Sequence, residues 1–149
     1  MAVLRNDPYR NFNFRVDLGG GDADSVAAGF FEVVLPSAEV SVAEYRAGNS
    51  PVGSPQKITG LTKYSEVVLR RGLIGSTDLW EWFKQTRDGS PEERSVRVDL
   101  LDEDRTEVVM SWRLTGARPV KYTAPTLNAK GTDVAVEELV LAIEGLEVE

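Results

Sequence analysis

The sequence predicts a mainly-β fold: an antiparallel β-sandwich or barrel carrying one packed α-helix. Three observations carry that prediction. Several segments alternate apolar and polar residues with the two-residue period of a half-buried strand. Only one segment combines a helical stripe with capping and end-charge signals. Glycine and proline, 13 and 7 residues in a chain of 149, punctuate the segments at turn-like intervals. That length suits one domain, 1–149, with a single core.

In chain order, Phe12-Asn-Phe-Arg-Val-Asp-Leu18 alternates without a break, placing Phe12, Phe14, Val16 and Leu18 on one face. Gly19-Gly20-Gly21 and Asp22-Ala-Asp24 read as a turn. Phe30–Leu35 reads as a second strand, ended by Pro36, and Glu39–Arg46 as a third. From residue 47 to residue 63 the composition shifts to Gly, Ser, Asn and Pro without periodicity, which predicts a long loop, 47–63. Strand character returns at Tyr64–Arg71.

The helix is expected at about 77–88. Ser76-Thr77 offers an N-cap, Asp78 and Glu81 put negative charge in the first turn, and Lys84 and Arg87 put positive charge in the last. Leu79, Trp82, Phe83 and Thr86 share its buried stripe. A hairpin follows: Val96, Val98 and Leu100 alternate, Asp102–Arg105 turns, and Val108, Met110, Trp112 and Leu114 alternate back. Gly116 and Pro119 are expected to break the next stretch, and Pro125–Lys130 to form another loop. The tail from Val134 fits a helix through Val136, Leu139, Val140 and Ile143, and a strand through Leu139, Leu141 and Ile143.

Composition excludes much chemistry. The chain has no histidine and no cysteine, so no Ser-His-Asp triad, Cys-His pair, zinc finger or disulfide framework can be written from it. Seventeen basic against 24 acidic residues give a net charge of −7, a poor match to nucleic acid, so no specific nucleic-acid recognition is expected. The longest apolar stretch, Val26–Phe31, falls far short of a membrane span, and nothing resembles an export signal; a soluble chain without a membrane anchor is expected.

Three motifs invite a catalytic or ligand-binding reading and lose it. The triple glycine lacks a lysine and is followed by acids, so a flexible turn explains it better. Gly48 and Gly53 have the spacing of a phosphate loop, but Ser54-Pro55 stands where Lys-Ser/Thr is required. Asp102-Glu103-Asp104 lacks the glycine and glutamate positions of a calcium loop, which leaves a solvated hairpin turn. No carboxylate pair stands out among 24 acids for hydrolytic work. No catalytic residue, metal site or cofactor is expected.

Tyr45-Arg46 and Tyr64, with Arg70-Arg71, bracket the expected loop, and tyrosine and arginine are enriched at protein–protein interfaces. The strand Tyr64–Arg71 has Val68 on one face and Val67 and Leu69 on the other, as though neither face were solvated. An ordinary buried strand with edge aromatics fits the same residues equally well.

These segments together resemble the contractile tail tube proteins. The resemblance runs through Phe12-x-Phe-x-Val-x-Leu18, Glu44-Tyr45-Arg46-x-Gly48, Gly60-Leu61-Thr62-Lys63-Tyr64 and Leu69-Arg70-Arg71-Gly72. It continues through Leu79-Trp80-x-Trp82, Ala117-Arg118-Pro119-x-Lys121, Leu127-Asn128-Ala129 and Glu144-Gly145-Leu146. What it implies is a subunit whose strands join an inter-subunit barrel in a hexameric ring, the rings stacking into a hollow tube. A surrounding sheath would drive that tube through a target envelope, with cargo or DNA in the lumen. The implied partners are further copies of the chain, a sheath protein, and baseplate and tube-terminating proteins, with assembly in the bacterial cytoplasm. The resemblance also makes the tail a strand, and it marks Glu44, Tyr45, Arg46 and Lys63 for ring stacking. Tyr64, Val68, Leu69, Arg70 and Arg71 complete the expected interface. Other readings are a baseplate-proximal tube initiator and, outside the family, a β-sandwich binding module that never polymerises. A carboxylate enzyme would instead show a paired-acid cleft with one raised carboxyl pKa.

Overall fold

A computed structural model describes residues 2–19 and 29–149; Gly20–Gly21 and Asp22–Asp24 of the expected turn lie outside them. Its strands are β1 (Phe14–Asp17), β2 (Phe30–Val34), β3 (Ala38–Tyr45), β4 (Gln56–Tyr64) and β5 (Val67–Gly72). Helix α1 (Asp78–Arg87) follows, then β6 (Arg94–Leu101), β7 (Val108–Thr123), β8 (Val136–Ala142) and β9 (Gly145–Val148). The mainly antiparallel β architecture with one short helix is the one the patterning predicts.

Strand β7 organises the molecule. It runs 16 residues, straight through Gly116 and Pro119, where a break was expected. Gly116 takes φ +63°, which only glycine adopts cheaply, and a Cβ there would lie within 3 Å of the Glu144 side chain. The register slips between Pro119 and Lys121, so the missing proline N–H falls at an irregularity rather than in the ladder. The two residues bend the strand without ending it. Along its first half β7 pairs with β6 on one edge and β9 on the other, and along its second half with β8. The strand order is therefore β1-β6-β7-β8-β5-β2, with β9 beside β7.

The tail settles as strand. β8 lies between β5 and β7, its backbone groups paired on both sides, and Glu137, Leu139, Val140 and Leu141 are all buried. Burial of both parities is what a central, two-sided strand shows, and it explains why the apolar pattern also fitted a helix. In β6 the alternation fails from Asp99, which is buried, and the register with β7 slips between Leu100 and Leu101, where β7 carries the extra residue. The turn that follows is built on Asp102, whose carboxylate accepts from the Thr106 N–H (2.8 Å) and hydroxyl (3.0 Å). Those bonds hold its carboxyl below the usual aspartate value.

Helix α1 is one residue shorter at each end than expected, and Thr77 makes no side-chain cap. The Asp78 carboxylate instead accepts the Leu79 N–H at 2.9 Å. Leu79 and Trp82 face the core, which also takes Val16, Leu69, Leu114, Leu139 and Leu141. The Trp82 indole N–H donates to the Glu92 carbonyl at 2.7 Å, and the Arg94 guanidinium lies 4.5 Å over its ring. Trp82→Ala is expected to cost about 3–5 kcal/mol of protomer stability, because it empties a filled site. Urea denaturation checks this, and a wild-type midpoint would contradict the packing described.

The expected loop 47–63 is corrected. It ends at Pro55, and Gln56–Tyr64 is strand β4, paired antiparallel with β3. The register slips between Val40 and Val42, so β4 carries an extra residue. That places Ile58 and Leu61 three apart instead of two, and the alternation that marks a strand disappears from the sequence.

Candidate assembly surface

The β3–β4 pair continues the β2–β5 pair with no change of register at the junction. Val34 faces Val68 in the sheet, the Ser65 N–H donates to the Ser37 carbonyl at 3.0 Å, and Ala38 then faces Tyr64. Pro36, which lacks an N–H, separates the two halves. The continuous strand expected over Tyr64–Arg71 is thus interrupted at Ser65-Glu66, and a two-stranded arm leaves the sheet there. At roughly 3.3 Å per residue the arm extends about 25 Å.

Every residue of β3, and every residue of β4 except Tyr64, is exposed. The arm gives nothing to the core. Residues directly opposite across an antiparallel pair share a face. Val40, Val42, Thr59 and Thr62 therefore lie on one face, and Ala43, Tyr45 and Ile58 on the other. Both faces carry exposed apolar side chains among polar ones. Opposite charges face each other at Glu39–Lys63 and Glu44–Lys57, which favours this register over its slips. An isolated two-stranded ribbon is marginal in water, and exposed strand edges invite pairing with another chain.

The interface residues expected from sequence separate into three groups. Glu44, Tyr45 and Lys63 lie exposed on the arm, and Tyr64 at its base. Arg46 is turned to its own tip, where its guanidinium donates to the Val52 (3.0 Å) and Ser50 (3.3 Å) carbonyls. Val68 and Arg70 are half-buried on the outer face of β5, with Arg70 paired to Glu32 and to Glu138 (2.9 Å).

Leu69 and Arg71 are corrected. Leu69 is 0% exposed and Arg71 1%, so in this fold neither side chain reaches a neighbouring molecule. Arg71 instead ties β8 and α1 to β5. It donates to the Glu137 carboxylate (2.6 and 2.9 Å) and to both Asp78 oxygens (2.7 and 3.1 Å). Partial burial pushes the Asp78 carboxyl up, but the bonds from Arg71 and Ser76 outweigh it and hold it below the usual value. The Tyr122 hydroxyl donates to Glu137 at 2.8 Å, and burial together with that bond pushes its phenol up to about 12. This is a structural network, with each charge answered by a partner.

Val40, Val42, Ile58 and Leu61 were not singled out by the sequence reading, and all four lie exposed on the arm. The alternation of Val40 and Val42 was legible, but nothing local says that a strand is uncovered. A second exposed apolar surface, a cleft of about 500 Å³ between β1 and β2, takes in Phe12, Phe14, Phe31, Val33 and Trp112.

A mainly antiparallel seven-stranded sheet with one helix and an exposed two-stranded ribbon suits a structural subunit. The profile of the T4-like virus tail tube protein gp19 family matches residues 10–147, and the chain belongs to that family. It is a tail tube protein of the contractile injection kind. No curated protein sequence matches it. Among solved structures, it is similar to a chain of an extracellular contractile injection system, the PVC sheath-tube complex in the extended state. That match has 26% identity and a TM-score of 0.83, and covers 95% of this chain and 91% of the other. A chain of the PVC sheath/tube terminator in the extended state also matches at 26% identity, with a TM-score of 0.84, over 97% and 98% of the two chains. Hcp1 from Flavobacterium johnsoniae, at 17% identity and a TM-score of 0.57 over 91% and 93%, shares the fold. Among the described residues no helix is long and apolar enough to cross a membrane.

Proposed function

We propose that this chain, as one tube-forming domain, is the repeated subunit of the inner tube of a contractile injection particle or phage tail. Hexameric rings stack into a hollow tube, and contraction of a surrounding sheath drives the tube through a target envelope. The observation that supports this reading is the β3–β4 arm: a ribbon exposed on both faces, with Val40, Val42, Tyr45, Ile58 and Leu61 open, as a strand pair that a partner chain covers would be. Lateral joining around a closed ring removes free strand edges, and head-to-tail stacking generates a filament. Of the sequence-derived residues, Glu44, Tyr45, Lys63 and Tyr64 serve the stacking contact, and Val68 and Arg70 contacts within the ring. The role is mechanical and uses no catalytic residue or cofactor.

Partners follow from that role: sheath, baseplate and tube-terminating proteins, with assembly in the bacterial cytoplasm before the particle acts. The net charge of −7 suits a lumen along which cargo or DNA slides without sticking. Native mass spectrometry of the protein purified with its sheath and baseplate partners tests the ring. Hexamers are expected. A chain that stays monomeric at every concentration, even beside those partners, would favour a non-polymerising binding module.

A further inference from the structure

The first residues of the chain run back over the edge of β7. Ser111 and Glu149 extend the β7–β9 ladder by exchanging two backbone bonds of 2.9 Å. The Val3 N–H takes the next place along the same edge, donating to the Val109 carbonyl at 2.9 Å. Residues 2–10 belong to no helix or strand, and Leu4 is 97% exposed, so apolar packing does little to hold this segment down.

What fastens it is Arg5. Its guanidinium forks onto the Glu103 carboxylate at 2.6 and 2.8 Å. It also donates to the Asp7 and Pro8 carbonyls, at 2.8 Å each, and lies 3.9 Å over the Tyr9 ring. The Tyr9 hydroxyl returns to the Val3 carbonyl at 2.8 Å, closing the segment around the guanidinium. A bidentate, charge-assisted pair is stronger than a neutral bond. The bond from Arg5 holds the Glu103 carboxyl down to about 2, so the pair is fully charged at neutral pH. Glu103 stands in the turn that Asp102 builds with Thr106, and the Asn13 side chain donates to the Asp102 (3.3 Å) and Glu103 (3.2 Å) carbonyls. Between Arg5 and Asn13 the chain Tyr9–Phe12 forms one wall of the cleft that Val98, Leu100 and Trp112 line from β6 and β7, and Phe31 and Val33 from β2.

We infer that residues 3–9 are a releasable strap, fastened by Arg5 to Glu103, that holds the Tyr9–Phe12 wall in place and sets how far the floor of the cleft is open. The side-chain bonds of Arg5 and Tyr9 that tie the strap down lie at the surface, as in segments that open locally well before the fold does. Strand β1, which follows the wall, is held in its ladder with β6, so release moves the wall and leaves the core in place. The device works within one protomer and stands apart from the tube reading.

Hydrogen exchange followed by NMR, combined with 5-fluorotryptophan labelling, reads both ends of the strap on the protein purified without its sheath and baseplate partners. In Arg5→Ala the Val3 amide should exchange about tenfold faster, the factor for losing roughly one charge-assisted interaction. The fluorine resonance of Trp112, identified with Trp112→Phe, should shift and broaden more strongly under a soluble paramagnetic agent. Glu103→Gln should give the same changes in smaller measure, because an acceptor remains while its charge is lost. Leu4→Ala should leave both signals as in the wild type. The urea midpoint should be unchanged in all three, since each substituted residue is exposed. Unchanged Val3 exchange in Arg5→Ala would overturn the assignment of Arg5 as the fastener. Fast Val3 exchange with an unmoved Trp112 resonance would overturn the link between strap and cleft.

Discussion

Replacing Ala38–Tyr64 with an Asn-Gly turn is expected to yield a folded protomer that cannot assemble. Ser37 and Ser65 are already joined across the ribbon: the Ser65 N–H reaches the Ser37 carbonyl at 3.0 Å, and the Ser37 N–H reaches the Ser65 hydroxyl at 2.8 Å. A two-residue turn closes such a pair without strain. No core residue is lost, because among the described residues none of the core cluster lies between Ala38 and Tyr64. Stability to urea should therefore stay within about 1 kcal/mol of the full chain, a shorter connection slightly favouring the fold. Assembly, in contrast, should be abolished. Electron microscopy and denaturation of the same preparation check both halves, and tubes built from the armless chain would refute the role given to the ribbon.

Leu69→Asp is expected to unfold the protomer rather than merely uncouple it from its neighbours. Leu69 sits between Val33 on β2 and Leu139 on β8, fully buried. Losing a buried leucine alone costs about 2–5 kcal/mol, and burying a carboxylate there adds to that. Against a typical net stability of about 5–15 kcal/mol, that is most of the reserve. Val68→Asp, one residue earlier on the half-buried outer face, should cost less than about 2 kcal/mol and leave a soluble chain. Circular-dichroism melts of the two variants make the comparison. A Leu69→Asp chain that is soluble and melts like the wild type would mean that β5 faces the other way.

That contrast shows what the sequence could and could not say. The strand β1, the helix with Leu79 and Trp82 inward, and the hairpin from Val96 to Leu114 were legible because period and turn chemistry agree there. On β5 both parities are apolar, so period alone cannot tell core from interface. Arg70 and Arg71 look alike in the chain, yet one lies on the outer face and the other is buried against Glu137 and Asp78. Only the register with β8 separates them. The arm was hidden for a different reason: the extra residue in β4 breaks the spacing between Ile58 and Leu61. The length of β7 was hidden by Gly116 and Pro119, which normally end strands and here fall at a bend and a slip. Asp99 reads as a polar position in an alternating strand. It is buried, held by the Ser111 hydroxyl at 2.6 Å and by Arg15 and Arg97 at 3.2 Å each. Ser111 and Arg15 stand on other strands, where no local pattern could have named them.

On the proposed reading this chain works only as a repeated, stacked subunit. Negative-stain electron microscopy of the protein produced together with its sheath and baseplate partners tests it most directly. Hollow tubes with sixfold end views are the expected result. Dispersed monomers in the presence of those partners would contradict it.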